Sequence, residues 1–268
     1  MTRFVHLTDL HISHPDSGDT MLRTDTPAQV ASAVAAINRL DPAPDFVIAS
    51  GDLTNIGDPR SYGLLQDILA PLKMPVVLAL GNHDRRDAFH SVFQTGRGDA
   101  PHFHDRAEAG LHIITLDTLI PGKVSGTICE GQFAFLAEAL ERAPDLPKVI
   151  VAHHPPRIDP NELPWATLDQ PTSDRLADVL RGRNVLGILS GHVHINSVRM
   201  WHGVPLYVSQ GLNSTVDLIE REDMRIVEGT GFALFDLRAS GLSVTFVPLT
   251  PDARELGRLD VARLRSFS

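Results

Sequence analysis

Apolar and polar positions follow two rhythms along this chain. Short apolar runs at Phe4 to Leu7, Phe46 to Ala49, Val76 to Leu80, Leu111 to Leu116, Lys148 to Ala152 and Val185 to Leu189 read as strands. Several are near-continuous Val, Ile and Leu, the pattern of strands covered on both faces. Between them the apolar spacing turns helical. Pro27 suits a first helical position after Thr26, and Val30, Val34, Ile37 and Leu40 follow on one face. Ser61 to Leu72 and Gly131 to Arg142 repeat the pattern, and Ser173 is placed to cap a helix over Asp174 to Arg181. After Ser197 the rhythm changes. Val198 to Trp201, Pro205 to Ser209, Gly231 to Leu237 and Leu242 to Leu249 read as strands joined without helices, which predicts antiparallel pairing. Gly211 to Gly229 has weak periodicity and reads as a lid or contact loop. Asp252 to Ser268 is charged and expected to be peripheral.

The predicted fold is α/β (α+β), with two β-layers between helices. Residues 1–210 are expected to form the catalytic core. Residues 211–268 would complete a sheet and add a cap or dimerisation segment, all within one structural domain.

Composition narrows the class. The chain has 268 residues, enough for one large domain. Its net charge of -9 and the lack of a basic stretch argue against a nucleic-acid polymer as partner. No apolar run nears the ~18 residues that span a bilayer, so no membrane insertion is expected. No signal peptide is visible ahead of Phe4, and the single cysteine, Cys129, suits a reducing compartment; a cytoplasmic protein is expected. The 13 histidines change the picture more than the charge does, because of where they fall.

Five segments follow apolar strands and carry metal-ligand residue types: Asp9-Leu10-His11, Gly51-Asp52, Gly81-Asn82-His83-Asp84, His153-His154 and Gly191-His192-Val193-His194. Each alone reads equally as a turn or a polar strand end. Five in order, offering Asp, Asn and His, point to a metal site. If the chain is still extended at Asp9 and His11, both side chains project to one face, and the same holds for His192 and His194. Gly51, Gly81 and Gly191 let the backbone turn or approach closely beside them. Oxygen and imidazole donors suit Fe, Mn, Zn or Co, and the lack of thiolates disfavours a closed structural zinc site. His14, Asp25, His90, His102, His104, His112 and His202 read as surface or loop residues. Asn55 is a minor candidate for substrate contact, and His154 for support of a ligand.

In this order the motifs resemble the calcineurin-like metallophosphoesterases over about the first 195 residues. Thr8-Asp9-Leu10-His11, Gly51-Asp52-Leu53-Thr54, Gly57, Tyr62, Gly81-Asn82-His83-Asp84-Arg85-Arg86, Gly126, Gln132, Phe135 and Leu136 look like the class III cyclic nucleotide phosphodiesterases, and equally like bacterial glycerophosphodiesterases. Phe135 stands where that pattern has a tryptophan. The resemblance implies a four-layer α-β-β-α sandwich and two metal ions. Asp9, His11 and His194 would hold one ion; Asn82, His153 and His192 would hold the other; Asp52 would bridge. His153 rather than His154 is the ligand by this pattern. His83 would lie at the scissile oxygen, and Asp84 would orient it. The implied reaction is hydrolysis of a small phosphodiester, a cyclic nucleotide or a glycerophosphodiester, by metal-activated hydroxide. A homodimer or higher homo-oligomer is expected.

Other readings are a broad phosphomonoesterase, a repair-type nuclease and a silent scaffold of the same fold. Protein phosphatases place an arginine where Gly51-Asp52-Leu53-Thr54-Asn55-Ile56-Gly57 has Ile56. A scaffold would show eroded ligand positions, and all seven are intact here.

Overall fold

The computed structural model describes residues 1–220, 222–249, 254–261 and 265. In chain order they form β1 (Thr2–Leu7), α1 (Thr26–Ile37), β2 (Phe46–Ala49), α2 (Pro59–Leu69), β3 (Val76–Leu78), α3 (Arg86–Phe93), β4 (His104–Glu108), β5 (Leu111–Leu116) and α4 (Glu130–Glu141). Then come β6 (Lys148–Ala152), α5 (Gln170–Leu180), β7 (Val185–Ser190), β8 (Ser197–Trp201), β9 (Val204–Val208), β10 (Thr215–Val216), β11 (Ile226–Val227), β12 (Thr230–Arg238) and β13 (Gly241–Leu249).

One sheet has the order β13-β12-β1-β2-β3, the other β4-β5-β6-β7-β9-β8. In the first, β1, β2 and β3 run parallel, with β12 antiparallel to β1. In the second, β5, β6, β7 and β9 run parallel, with β4 and β8 antiparallel at the edges.

The apolar runs are continuous because each strand has two dry faces. Phe4, Phe46 and Ile48 face Ile113, Val149, Val151 and Leu189 between the sheets. Val5, Leu7, Val47 and Ala49 face Val30, Val34, Ile37 and Leu65 of α1 and α2. On the far side Ile114, Ile150 and Ile188 pack against Leu136, Leu140, Leu176 and Leu180 of α4 and α5. The result is the expected α-β-β-α layering.

The structure departs from the sequence reading at several points. Helix α5 begins at Gln170, and its cap is Asp169, whose side chain accepts the Thr172 N–H. Ser173 lies inside the helix and accepts the Arg157 N–H at 2.9 Å instead. The antiparallel pairs after Ser197 divide between the sheets: β8 and β9 extend the second, β12 and β13 the first. Within Gly211 to Gly229, β10 and β11 form a two-stranded ribbon. His90, His102 and His112 are buried rather than on the surface. His90 bonds Thr95 and the Ala100 carbonyl, and His112 bonds Asp105. In the C-terminal stretch, 252, 253, 262–264 and 266–268 lie outside the described residues, while 254–261 are exposed.

Candidate metal centre

The five ligand-bearing segments follow β1, β2, β3, β6 and β7, all parallel strands, so both sheets deliver them to one edge of the sandwich. Carboxyl ends of parallel strands are where α/β folds place their sites. Asp9, His11 and His194 offer donor atoms within 4.8 Å of one another, and so do Asp52, His153 and His192. His11, Asp52 and His83 form a third such group that overlaps the first two. His194 Nε2 lies 3.2 Å from Asp9 Oδ1, and His153 Nε2 lies 3.2 Å from Asp52 Oδ2.

The backbone does not remain extended here. Asp9, His11, Asp52, His192 and His194 all have left-handed φ, between 45° and 72°. The two residues of each Asp-x-His or His-x-His pair therefore reach the cluster from a turn, not from alternate positions of a strand. Non-glycine residues rarely adopt this conformation, and clusters of them mark sites where the surroundings over-determine the backbone. The constraints are visible: the Asp9 N–H donates to the Gly51 carbonyl, the His11 N–H to the Asp52 carbonyl, and the His192 N–H to the Asp9 carboxylate. Space is also limited. A Cβ on Gly51 would meet the His153 ring at 2.7 Å, and one on Gly81 would collide with the Asp52 carboxylate.

Four histidines share one feature. Each gives one ring nitrogen to a carbonyl oxygen, which only accepts, so that nitrogen carries the hydrogen. His153 Nδ1 donates to Ser50 at 3.0 Å, His194 Nδ1 to Ser214 at 3.1 Å, His192 Nε2 to Trp165 at 2.8 Å and His11 Nδ1 to Asn55 Oδ1 at 2.9 Å. The Asn55 amide is itself oriented, since its Nδ2 donates to Asp19 at 2.6 Å. With the ring neutral, the opposite nitrogen of each carries the lone pair, the state a metal ligand needs. Among the described residues, His11 Nε2, His153 Nε2 and Asn82 Oδ1 are buried with no hydrogen-bond partner. Buried polar atoms are rarely left so. The donor set fits metal ions.

His154 is spent elsewhere. Its Nδ1 meets the Thr118 hydroxyl at 2.7 Å and its Nε2 donates to the Val124 carbonyl at 2.9 Å. Burial and the nearby His192 and His153 hold it well below the usual histidine range, so it is neutral. His153 behaves oppositely: burial alone would lower it, but the carboxylates of Asp52 and Asp9 raise it to about 9. Burial lowers His11 and His192 to about 4. Burial favours the neutral form of Asp9, yet His194 and His153 pull its pKa below the usual carboxylate range.

His83 is exposed, and its Nδ1 donates to the Asn55 carbonyl at 2.8 Å. Asp84 does not orient it. The Asp84 carboxylate instead accepts from the backbone of Leu53, Thr54 and Gly81 and from the Tyr62 hydroxyl at 2.9 Å. Burial and the Asp52 charge push Asp84 up to about 6. It pins together the loops that carry Asp52 and Asn82.

Residues 2–196 match the family model described as calcineurin-like phosphoesterase. The chain belongs to that family. It is 35% identical over 216 residues to a probable cyclic nucleotide phosphodiesterase of Rhodopseudomonas palustris, covering 78% of each chain. It is 32% identical to a cAMP/cGMP dual specificity phosphodiesterase of Mycobacterium tuberculosis, covering 80% of this chain and 68% of that one. A probable glycerophosphodiester phosphodiesterase of Arcobacter nitrofigilis is 30% identical over 72% of both. Among solved structures, a dimetal phosphatase from Danio rerio superposes with TM-score 0.68 at 16% identity, over 92% of this chain and 96% of that one, which shows the shared fold.

In this phosphoesterase the residues that orient the histidines, Asn55 apart, were invisible in the sequence. Ser50, Trp165 and Ser214 act through backbone carbonyls, which any residue supplies. His6 was missed as well. Fully buried on β1, it bonds Ser50 Oγ at 2.7 Å and Ser209 Oγ at 3.0 Å, linking the two sheets at Ser50, whose carbonyl holds His153. Burial lowers it to about 3, so this link is neutral. Among the described residues, no helix is long and apolar enough to cross a membrane.

Proposed function

We propose that the chain is a dinuclear-metal phosphodiesterase acting on small phosphodiesters, cyclic nucleotides or glycerophosphodiesters. The observation that carries this reading is the set of buried, partnerless donors at His11, His153 and Asn82 among rings already anchored by carbonyls. Asp9, His11 and His194 would hold one ion; Asn82, His153 and His192 the other; and Asp52 both. Fe, Mn, Zn or Co suits these oxygen and imidazole donors. When bound, the ions supply a nucleophile at neutral pH and offset charge growing on the phosphoryl oxygens.

The chain's own residues do the rest. Carbonyl-anchored histidines keep their second ring nitrogen turned inward and lose little freedom when loaded. His83, anchored at Nδ1, presents Nε2 beside His11 and Asp52 without being needed in either ligand set. It would give a proton to the leaving oxygen. Phosphodiesterase names among the most similar relatives support the diester over the monoester. Self-association is proposed as well, and light scattering in solution reads it.

Side-by-side turnover of bis(p-nitrophenyl) phosphate and p-nitrophenyl phosphate by the metal-loaded protein tests the reading. A clear preference for the diester is expected. A preferred monoester would make this a phosphomonoesterase, and turnover of neither would make it a scaffold.

A further inference from the structure

Arg86 ends the stretch Asn82-His83-Asp84-Arg85-Arg86 and opens α3, yet neither ligand set uses it. Its guanidinium reaches across to the second sheet. Nε and Nη2 donate to the two carboxylate oxygens of Asp117, directly after β5, at 2.8 and 3.0 Å. Nη2 also donates to the Leu119 carbonyl at 2.6 Å. Asp117 is buried and accepts the N–H groups of His102 and Leu119 as well. A planar fork that serves two carboxylate oxygens and a carbonyl is a geometry lysine does not reproduce.

The fork holds an irregular loop. Residues 118–127 contain no helix and only an isolated bridge at Gly126, and the Thr127 N–H closes them on the Thr118 carbonyl at 3.1 Å. His154 grips the same loop through the Thr118 hydroxyl and the Val124 carbonyl, and a Cβ on Gly126 would collide with its ring. Both anchors sit beside the candidate centre in sequence: His154 follows His153, and Arg86 comes three residues after His83. Compact loops closed at their ends often carry function. This one shares a cavity with the centre. Leu119, Pro121 and Gly122 line a space of about 510 Å³ together with Asn82 and His83, a volume that suits a small ligand.

An ester arm on phosphate held at the centre would lie between His83 and this loop. A loop anchored from both sides offers a wall already in place, so binding has little left to order. We propose that Arg86 is a positioning residue for substrate: it fixes residues 118–127 as the wall against which an ester arm binds, and touches neither metal nor phosphate. The proposal rests on the phosphodiesterase reading for its ligand and on the Arg86, Asp117 and Leu119 contacts for the wall.

Arg86→Lys tests it, because lysine keeps a cation beside buried Asp117 and loses the fork. In the Mn²⁺-loaded variant, trypsin should cut after the exposed Lys123 several-fold faster than in the parent. Calorimetry should show the Kd for diphenyl phosphate raised about tenfold, the cost of re-ordering one or two side chains. The Kd for dimethyl phosphate and the metal content should not change. For bis(p-nitrophenyl) phosphate, KM should rise while kcat holds. If Arg86→Lys does not fold, the double variant Arg86→Met with Asp117→Asn leaves no buried charge unpaired and should give the same split. Unchanged cleavage after Lys123 overturns the proposal. So does equal weakening of the two diesters, which would make Arg86 a phosphate contact, or loss of metal, which would make it a support of Asn82. The two readings separate cleanly. Arm-dependent loss of affinity in a protein that turns over no diester keeps the wall and removes the phosphodiesterase. Turnover of bis(p-nitrophenyl) phosphate with arm-independent affinity does the reverse.

Discussion

The Asn55 carbonyl accepts the Nδ1–H of His83 at 2.8 Å, which fixes the ring and leaves Nε2 as its working nitrogen. The consequence depends on the leaving group. An alkoxide needs a proton in the transition state; p-nitrophenolate does not. His83→Ala should retain metal and slow alkyl diesters by roughly 10²-fold or more, while slowing p-nitrophenyl esters much less. Equal losses on both substrates would make His83 a phosphate-positioning residue.

Asp19 acts one step further out. It orients the Asn55 amide at 2.6 Å, and the amide oxygen then holds His11 Nδ1 at 2.9 Å. Asp19→Ala frees the amide to rotate and present its NH₂ to the ring. Metal affinity, measured by competition with a chromophoric chelator, should fall about 10- to 100-fold, the usual effect of losing such support. Unchanged affinity would show that His11 needs no outside orientation.

The left-handed backbone of the ligand residues predicts a conflict between stability and function. At His11, φ is 45°, a conformation that costs a residue with a Cβ about 1–2 kcal/mol and glycine almost nothing. Both His11→Gly and His11→Ala should lose metal. In urea unfolding of the metal-free proteins, the glycine variant should be the more stable by about 1 kcal/mol, less whatever its unfolded chain gains in freedom. An alanine variant more stable by that margin would mean the local strain is relieved elsewhere.

Acid should destabilise the fold through His102. Burial first, then the neighbouring His104 and His90, lower its pKa from 6.5 to about 4. Between those values the unfolded chain binds a proton that the folded chain refuses. Stability is therefore full above pH 6.5 and is lost as pH falls toward 4, by up to roughly 3 kcal/mol from this group. His102→Gln should flatten that part of the stability–pH curve. An unaltered slope would assign the acid sensitivity to other groups.

The sequence made the sandwich legible because both faces of its strands are dry, so Phe4 to Leu7 or Lys148 to Ala152 announce themselves without tertiary information. Helix α3 escaped because Arg86, Asp87, His90 and Ser91 dilute its apolar face. The ligand residues were legible as types at strand ends, but their conformation was not, since nothing in Asp9-Leu10-His11 signals a left-handed turn. Adjacency misled at Asp84. Its neighbour His83 turns to a carbonyl, and the carboxylate turns inward to three backbone amides. Buried His90 and His112 looked like surface residues because their partners, the Ala100 carbonyl and Asp105, become neighbours only once the chain is folded.

The most direct measurement is the diesterase rate of chelator-stripped protein as Mn²⁺ is added back. With Asp52 grouped both with His11 and with His153 and His192, their donor atoms within 4.8 Å of one another in each group, two ions should be taken up together. The stripped protein should be inactive, and the rate should rise to a plateau near two equivalents of metal per chain. A stripped protein as fast as the reconstituted one, or a plateau at a single equivalent, would contradict a dinuclear centre.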